Sequence, residues 1–225
     1  MSQTLAELLD LKSAPVALSF RDTAPEGVER ISAPAVAGCA YWTTAANGST
    51  FFTEASDHYG CPVGAHTHGV DLPAETAAEL QGLVQIMVGL EYLQMEEIPQ
   101  IPTRTQPLRT VTYAPLSETS DPDVVLVRGN ARQLMLLTEA ANAAGVGPDS
   151  AAMGRPACSV VPSTLNSGRA TTSLGCIGNR VYTGLSDEEF YLALPGSSLT
   201  AVMDKLSTIL RANHELEKFH QARLA

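Results

Sequence analysis

The stretch 123-DVVLVRGNARQLMLLTEAANAAG-145 contains the change of hydrophobic period that decides the fold class. Its first part, 123-DVVLVR-128, is a short apolar run that is typical of a β-strand. Its second part, 130-NARQLMLLTEAANAAG-145, has a helical spacing of apolar residues, with Asn130 as the N-cap and Gly145 at the end. A strand that leads into a helix is the basic unit of an α/β domain.

Other segments continue this alternation of strands and helices. Further strands are predicted at 15-PVALSF-20, 109-RTVTYAPL-116 and 189-EFYLALP-195, and further helices at 74-AETAAELQGLVQIMVGLEYL-93 and residues 198–224. We therefore expect an α/β fold in which residues 1–225 form a single domain, with a mixed sheet and flanking helices.

The two halves of the chain share a weak pattern around their cysteines. From Cys39, and again from Cys158, an asparagine that opens a turn follows after eight residues. A Thr-containing strand and a second Gly-Cys pair come next in both halves. The pattern predicts an internal duplication of residues 1–103 and 104–225. A pseudo-twofold axis between two such halves would bring the two pairs of cysteines together.

All four cysteines of the chain stand close to glycine or proline. They occur in 38-GCAYW-42, 60-GCPVG-64, 154-GRPACSV-160 and 173-SLGCIGNR-180. These contexts predict loop-to-helix junctions, where free N–H groups and the helix dipole stabilise a thiolate. Thiolates are the ligands that soft metals prefer. We therefore expect one site surrounded by four metal ligands, which are Cys39, Cys61, Cys158 and Cys176.

The first interpretation of such a site is an iron–sulfur cluster, with zinc as the alternative metal. A cluster held by four cysteines would suit electron transfer with a redox partner protein. A cluster held by three would leave an open iron that acts as a Lewis acid on a small anionic molecule. In that case Arg155 or Arg180 would bind the anion, and His66 or His68 would move protons.

Two other interpretations need no metal. In one, the cysteines are small buried side chains of a binding domain whose glycine-rich loops hold a small ligand. In the other, Cys61 or Cys176 is the nucleophile of a cysteine-thiolate enzyme. The cysteine spacings of 22, 97 and 18 residues match no zinc ribbon and no ferredoxin motif, so the spacing does not choose among the three interpretations.

The net charge of −10 is concentrated in the first half of the chain. Residues 1–103 contain 13 acidic and 3 basic residues, and no Lys or Arg occurs between Arg30 and Arg104. Such a chain lacks the basic surface that nucleic acid or an anionic membrane requires of a partner. The N-terminus lacks the basic and apolar regions of a signal peptide, and no segment is apolar enough to span a bilayer. We expect a cytoplasmic protein whose thiols stay reduced.

The cysteine motifs also resemble those of a known family, which is catalogued as domain of unknown function 169. The resemblance lies in 14-APVALSF-20, 38-GCAYWTTAANGSTFF-52, 57-DHYGCPVGAHTHG-69, 154-GRPACSVVP-162, 173-SLGCIGNRVYTGL-185 and 189-EFYLALPG-196. It covers nearly the whole chain and implies a prokaryotic single-domain protein of α/β type. It implies no activity, because the family carries no general function that can be transferred to this chain.

Overall fold

The computed structural model describes residues 4–148 and 155–224 of the chain. Its strands are β1 (Val16–Arg21), β2 (Phe51–Glu54), β3 (Thr110–Pro115), β4 (Val124–Asn130), β5 (Thr171–Ser173) and β6 (Glu189–Pro195). Its helices are α1 (Leu5–Leu9), α2 (Ala40–Ala46), α3 (Pro62–Thr67), α4 (Ala74–Gly89), α5 (Ala131–Ala143), α6 (Val160–Ser167), α7 (Ile177–Thr183) and α8 (Leu199–Gln221).

The change from strand to helix at residues 123–145 occurs where the sequence predicts it. Helix α5 follows β4 directly and begins with a capping box. The Asn130 side chain accepts a hydrogen bond from the Gln133 backbone N–H at 3.0 Å, and the Gln133 side chain accepts one from the Asn130 N–H at 2.9 Å. These two bonds satisfy N–H groups that have no partner within the helix.

The strands form one sheet in the order β2-β3-β1-β4-β6-β5. Each of the five strand pairs is antiparallel. The central pair joins β1 to β4 over three residue pairs, from Val16–Leu126 to Leu18–Val124. The predicted α/β fold, with one sheet and flanking helices, is confirmed, but the six-stranded sheet is antiparallel and not mixed.

The strand order has the same arrangement on the two sides of the central pair. Moving outward from β1, the sheet continues through β3 to β2, and moving outward from β4 it continues through β6 to β5. Strands β3 and β6 each pair along most of their length with the central strand beside them. The internal duplication of residues 1–103 and 104–225 stays a prediction.

The sheet separates two hydrophobic cores of different composition. Alternate residues of β4 point to opposite faces, so that Val124 and Leu126 belong to one core, and Val125 and Val127 to the other. The first core contains residues of α2, α3 and α6 and includes buried aromatic side chains, so we call its side of the sheet the aromatic face. The second core packs α1, α5 and α8 through mainly Leu, Val and Ala, and we call its side the aliphatic face.

Helix α4 lies outside both cores. None of its 16 residues is buried, although many are apolar. Its strongest packing within the described residues is against α3, which connects it to the aromatic face. Across residues 4–148 and 155–224, no helix combines the length and apolar character needed to cross a membrane.

Candidate functional site: a thiol cluster and a cleft

The four cysteines lie where helices begin, as the sequence predicts. Cys39, Cys61 and Cys176 are the N-cap residues of α2, α3 and α7. Cys158 lies in a 3₁₀ turn that leads into α6, while Gly154 of the same motif lies outside the described residues. All four cysteines are free thiols, and other cysteines lie close enough to Cys39 and to Cys158 to add to the raised pKa of those two. We call these four residues the thiol cluster.

Burial dominates the chemistry of the thiol cluster. It raises the pKa of Cys39 to about 12 and also raises the pKa of Cys61 and of Cys158. The Thr67 hydroxyl, 3.3 Å from Sγ of Cys158, opposes this rise, whereas the neighbouring thiols add to it. All three side chains pack in or against the aromatic core. These three thiols are therefore protonated at neutral pH, which argues against Cys61 as a thiolate nucleophile.

The predicted cysteine-ligated metalloprotein is wrong. Across residues 4–148 and 155–224, no group of three or more Cys, His, Asp or Glu side chains is arranged to hold a metal ion. Iron–sulfur ligation by Cys39, Cys61, Cys158 and Cys176 requires such a group, and the zinc alternative has the same requirement. A junction between a loop and a helix fixes the local position of a cysteine backbone. It does not fix how the sulfur atoms of four separate junctions are grouped.

The two histidines proposed for proton transfer occupy different environments on α3. His66 is exposed, whereas His68 is buried, with Nδ1 2.9 Å from the carbonyl oxygen of Gly64. The His68 ring stacks on buried His58 at 5.7 Å between ring centroids. Burial lowers the pKa of His68 to about 4 and that of His58 to about 3, so both rings are neutral at neutral pH. A catalytic role for His66 or His68 stays a prediction.

The two arginines proposed for anion binding contact other groups of the protein. The Arg155 guanidinium lies over the Tyr92 ring and donates a 3.2 Å hydrogen bond to Glu97. The Arg180 guanidinium donates a 2.7 Å hydrogen bond to the carbonyl oxygen of Leu174 and so braces the loop before α7. Anion binding by Arg155 or Arg180 stays a prediction, because neither contact tests it.

A cleft of about 440 Å³ opens on the aromatic face beside β1, β4 and β6. Its volume lies in the range of roughly 300–1,000 Å³ that is common for small-molecule sites. Side chains of both charges and two aromatic rings line it, among them Lys12, Trp42, Arg128, Glu189 and Tyr191. This cleft has the size and the mixed lining of a binding site for a small polar molecule.

A mostly buried ion pair forms one wall of the cleft. Arg128 Nε donates to Glu189 Oε2 at 3.0 Å, and Arg128 Nη2 donates to the carbonyl oxygen of Gly184 at 2.7 Å. Burial opposes ionisation of Glu189, but hydrogen bonds from Arg128 and Ser186 outweigh it and lower the pKa of Glu189. The pair therefore holds the loop after α7 against β4, and the charge of Arg128 is neutralised within the wall.

Two other residues of the cleft have polar groups without an ion-pair or hydrogen-bond partner among the described residues. Lys12 is exposed and forms no ion pair with a described residue. Trp42 is 3% exposed, and its indole N–H has no hydrogen-bond partner in the described part of the chain. A buried donor left without a partner costs about 1–3 kcal/mol, so such groups in folded proteins bind ordered water or a ligand. Both residues line the same cleft.

The cleft and the thiol cluster are parts of one region. Trp42 lies one helical turn after Cys39 on α2, so the two side chains share a helix face. The Tyr191 hydroxyl donates to Thr183 Oγ1 at 3.2 Å, and the Thr183 hydroxyl donates to the carbonyl oxygen of Asn179 at 2.7 Å within α7. Helices α2 and α7 therefore each extend from a cysteine N-cap toward the wall of the cleft.

Sequence reasoning missed the cleft residues, although weak signals for two of them are present. Trp42 is the single tryptophan of the chain and ends the cysteine motif 38-GCAYW-42. Arg128 is a charged residue at the end of an otherwise apolar strand. Neither signal shows which distant segments meet, because that depends on the pairing of β1 with β4 and of β4 with β6.

These features define an α/β protein with an antiparallel sheet, a cluster of four free cysteines and an adjacent polar cleft. Residues 4–205 match the family described as DUF169, uncharacterised ArCR, and the chain belongs to that family. The predicted family is confirmed. No curated protein and no solved structure matches the chain.

Proposed function

We propose that this protein binds a small organic anion in the cleft beside β1, β4 and β6. The observation that carries the proposal is that two residues line one cavity: Lys12, which has no ion-pair partner among the described residues, and Trp42, whose buried indole N–H has no hydrogen-bond partner there. A carboxylate or phosphate oxygen satisfies both groups, because it accepts hydrogen bonds and carries the opposite charge to an ammonium.

The other residues that line the cleft indicate which chemical groups the ligand carries besides its anionic group. The Tyr191 ring, edge-on to Trp42 with 5.3 Å between centroids, supplies an apolar wall. Thr43 and Asn47 add polar side chains from the same helix, α2. Glu188 adds a carboxylate, which repels a purely anionic molecule. The ligand of this proposal therefore also carries a hydroxyl or ammonium group that can donate to Glu188.

The thiol cluster has a supporting role in this proposal. Cys39 belongs to the aromatic core, and Cys61 and Cys158 pack against it, so that Cys39 anchors the start of α2, which carries Trp42. Free thiols persist where the surroundings are reducing. We therefore propose the cytoplasm as the compartment, since all four cysteines are free.

Fluorescence of Trp42 provides a direct test, because this residue is the single tryptophan of the chain. The probes are citrate, L-glutamate and glycerol 3-phosphate, titrated into the full-length protein. We expect at least one of them to change the emission of Trp42 in a saturable way. The Lys12→Gln variant should weaken that binding about tenfold, which corresponds to about 1.4 kcal/mol, because it removes the cation that faces the anion.

The matched control is Lys218→Gln, which removes an exposed lysine of α8 that pairs with Glu215. It should bind the same probe as tightly as the unmodified protein does. Two outcomes contradict the proposal: no probe binds, or the Lys12 and Lys218 variants bind equally well. Calorimetry of the same titrations checks that the fluorescence change reports binding.

A further inference from the structure

Helix α4 and the residues that follow it present a large apolar surface. The exposed fractions of Leu83, Ile86, Leu90, Tyr92 and Met95 range from 39% to 74%. We call these five residues the α4 surface. Helices of this length normally derive their stability from packing an apolar face against the protein, and a helix that is apolar on several sides is normally buried. An apolar surface of this kind marks a site of interaction.

Acidic side chains border the α4 surface. They are Glu75, Glu79, Glu91, Glu96 and Glu97. The sequence holds no Lys or Arg between Arg30 and Arg104, and Arg155, which reaches the surface from elsewhere, is paired with Glu97. The border therefore carries a net negative charge. Such a border favours a partner with basic groups around its own apolar contact face.

The same charges argue against a second copy of this chain as the partner. Two copies joined through α4 would bring glutamates of one copy against glutamates of the other. Juxtaposed like charges at an interface are unfavourable and select against that pairing. A membrane with an anionic surface is disfavoured for the same reason.

The α4 surface also lies next to the thiol cluster. Helix α4 packs on α3, whose N-cap is Cys61, and Glu79 of α4 is close enough to add to the raised pKa of Cys61. Helix α7, whose N-cap is Cys176, also exposes Ile177 and Val181, at 72% and 70%. A partner on α4 would therefore lie beside the helix that begins at Cys61.

We infer that the α4 surface is the docking site of a protein partner that presents an apolar face bordered by Lys and Arg. The test uses the full-length protein and a synthetic amphipathic helix of Leu and Lys as the probe. A peptide in which Glu replaces every Lys is its matched counterpart. We expect the Leu/Lys peptide to bind at least about tenfold more tightly than the Leu/Glu peptide at low salt, and to weaken as salt is added.

Two variants separate the apolar contribution from the charge. Ile86→Ser with Leu90→Ser should weaken binding of the Leu/Lys peptide about tenfold or more. The matched control, Leu216→Ser with Phe219→Ser, removes exposed apolar residues of α8 and should leave binding unchanged. Glu91→Lys with Glu96→Lys keeps every apolar side chain, so it tests the charge even if the serine variant loses the helix. This double variant should weaken binding of the Leu/Lys peptide and strengthen binding of the Leu/Glu peptide.

Three results would overturn the inference. The first is equal binding of the Leu/Lys peptide to the α4 and α8 serine variants. The second is a dimer in sedimentation velocity that the Ile86→Ser and Leu90→Ser changes convert to a monomer, which would assign the surface to a second copy. The third is binding to phosphatidylcholine vesicles that the same two changes abolish, which would assign it to a lipid surface.

Discussion

The two faces of the sheet differ in composition and in what they contain. The aliphatic face packs α1, α5 and α8 with side chains such as Leu134, Leu137 and Leu206, each of which is at most 1% exposed. The aromatic face holds the thiol cluster, two stacked buried histidines and the cleft. It also contains buried polar groups that lack hydrogen-bond partners among the described residues, including Tyr113 Oη and Trp42 Nε1.

This difference indicates that the two faces of the sheet have different roles, one in stability and the other in ligand binding. Aliphatic packing stabilises a fold without any specific polar partner. Buried polar groups lower the stability of a protein unless they are paired. Unpaired ones are therefore expected mainly where they serve a function such as ligand binding. At neutral pH, where the buried histidines are uncharged, stability should therefore depend mainly on the aliphatic face, and ligand binding on the aromatic face. The predictions below test this difference between the two faces.

A change of pH should produce the largest effect, and it acts through the aromatic face. The folded-state pKa values of His58 and His68 lie near 3 and 4, below the unfolded value of 6.5. Their contribution to stability is therefore complete above pH 6.5 and is lost as the pH falls toward those values. At about pH 5 the free energy of unfolding should be lower by about 2 kcal/mol per histidine, or about 4 kcal/mol in all.

Urea unfolding followed by circular dichroism at about pH 7.5 and about pH 5 measures this loss. Arg104 adds to the lowered pKa of His68, whereas Asp57 opposes the lowering for His58. The His68→Gln variant should lose about half of the pH dependence, while the exposed-residue control His66→Gln should keep all of it. A free energy of unfolding that does not change between the two pH values would contradict the prediction.

The next largest effect should come from the aliphatic face. Leu137 of α5 is fully buried, and Leu137→Ala should lower the free energy of unfolding by about 3 kcal/mol, because it removes buried methyl groups and leaves a cavity. The affinity for an anion in the cleft should not change. Urea unfolding and the Trp42 titration of the same sample measure the two quantities. A weakened titration would show that the faces are not independent.

The smallest effect on stability should come from the removal of a single hydroxyl on the aromatic face. Tyr113 is fully buried in β3, its ring stacks on Phe51 at 5.5 Å, and its hydroxyl has no hydrogen-bond partner among the described residues. Tyr113→Phe keeps the ring and removes only that hydroxyl. We expect the free energy of unfolding to stay the same or to rise by about 1 kcal/mol. A loss above about 2 kcal/mol would mean that the hydroxyl is satisfied in the folded protein.

Local signals in the sequence predicted much of the fold. The apolar periods and the Asn130 cap predicted β4 and α5, and Pro62 predicted the start of α3 after Cys61. These features are local, since each depends on residues within one or two turns of the chain. The positions of the cysteines at helix starts were predicted for the same reason.

The site was much less predictable, because it depends on contacts between distant segments. Lys12, Trp42, Arg128 and Tyr191 meet only after β1 pairs with β4 and β4 pairs with β6. The metal interpretation was wrong for the same reason, because the positions of the sulfur atoms also depend on contacts between distant segments. Four similar local contexts placed each cysteine at the start of a helix, but they did not determine how the four sulfur atoms are grouped.

The strand order has a consequence for how the sheet forms. The central pair β1–β4 has three residue pairs, whereas β1–β3 has six and β4–β6 has seven. The units β2-β3-β1 and β4-β6-β5 can therefore each assemble from a continuous stretch of chain, and the short central pair can join them afterwards. Prior assembly of each unit shortens the effective loop that the last pairing must close, which lowers its entropic cost. The middle of the sheet is thus a seam between two folding units.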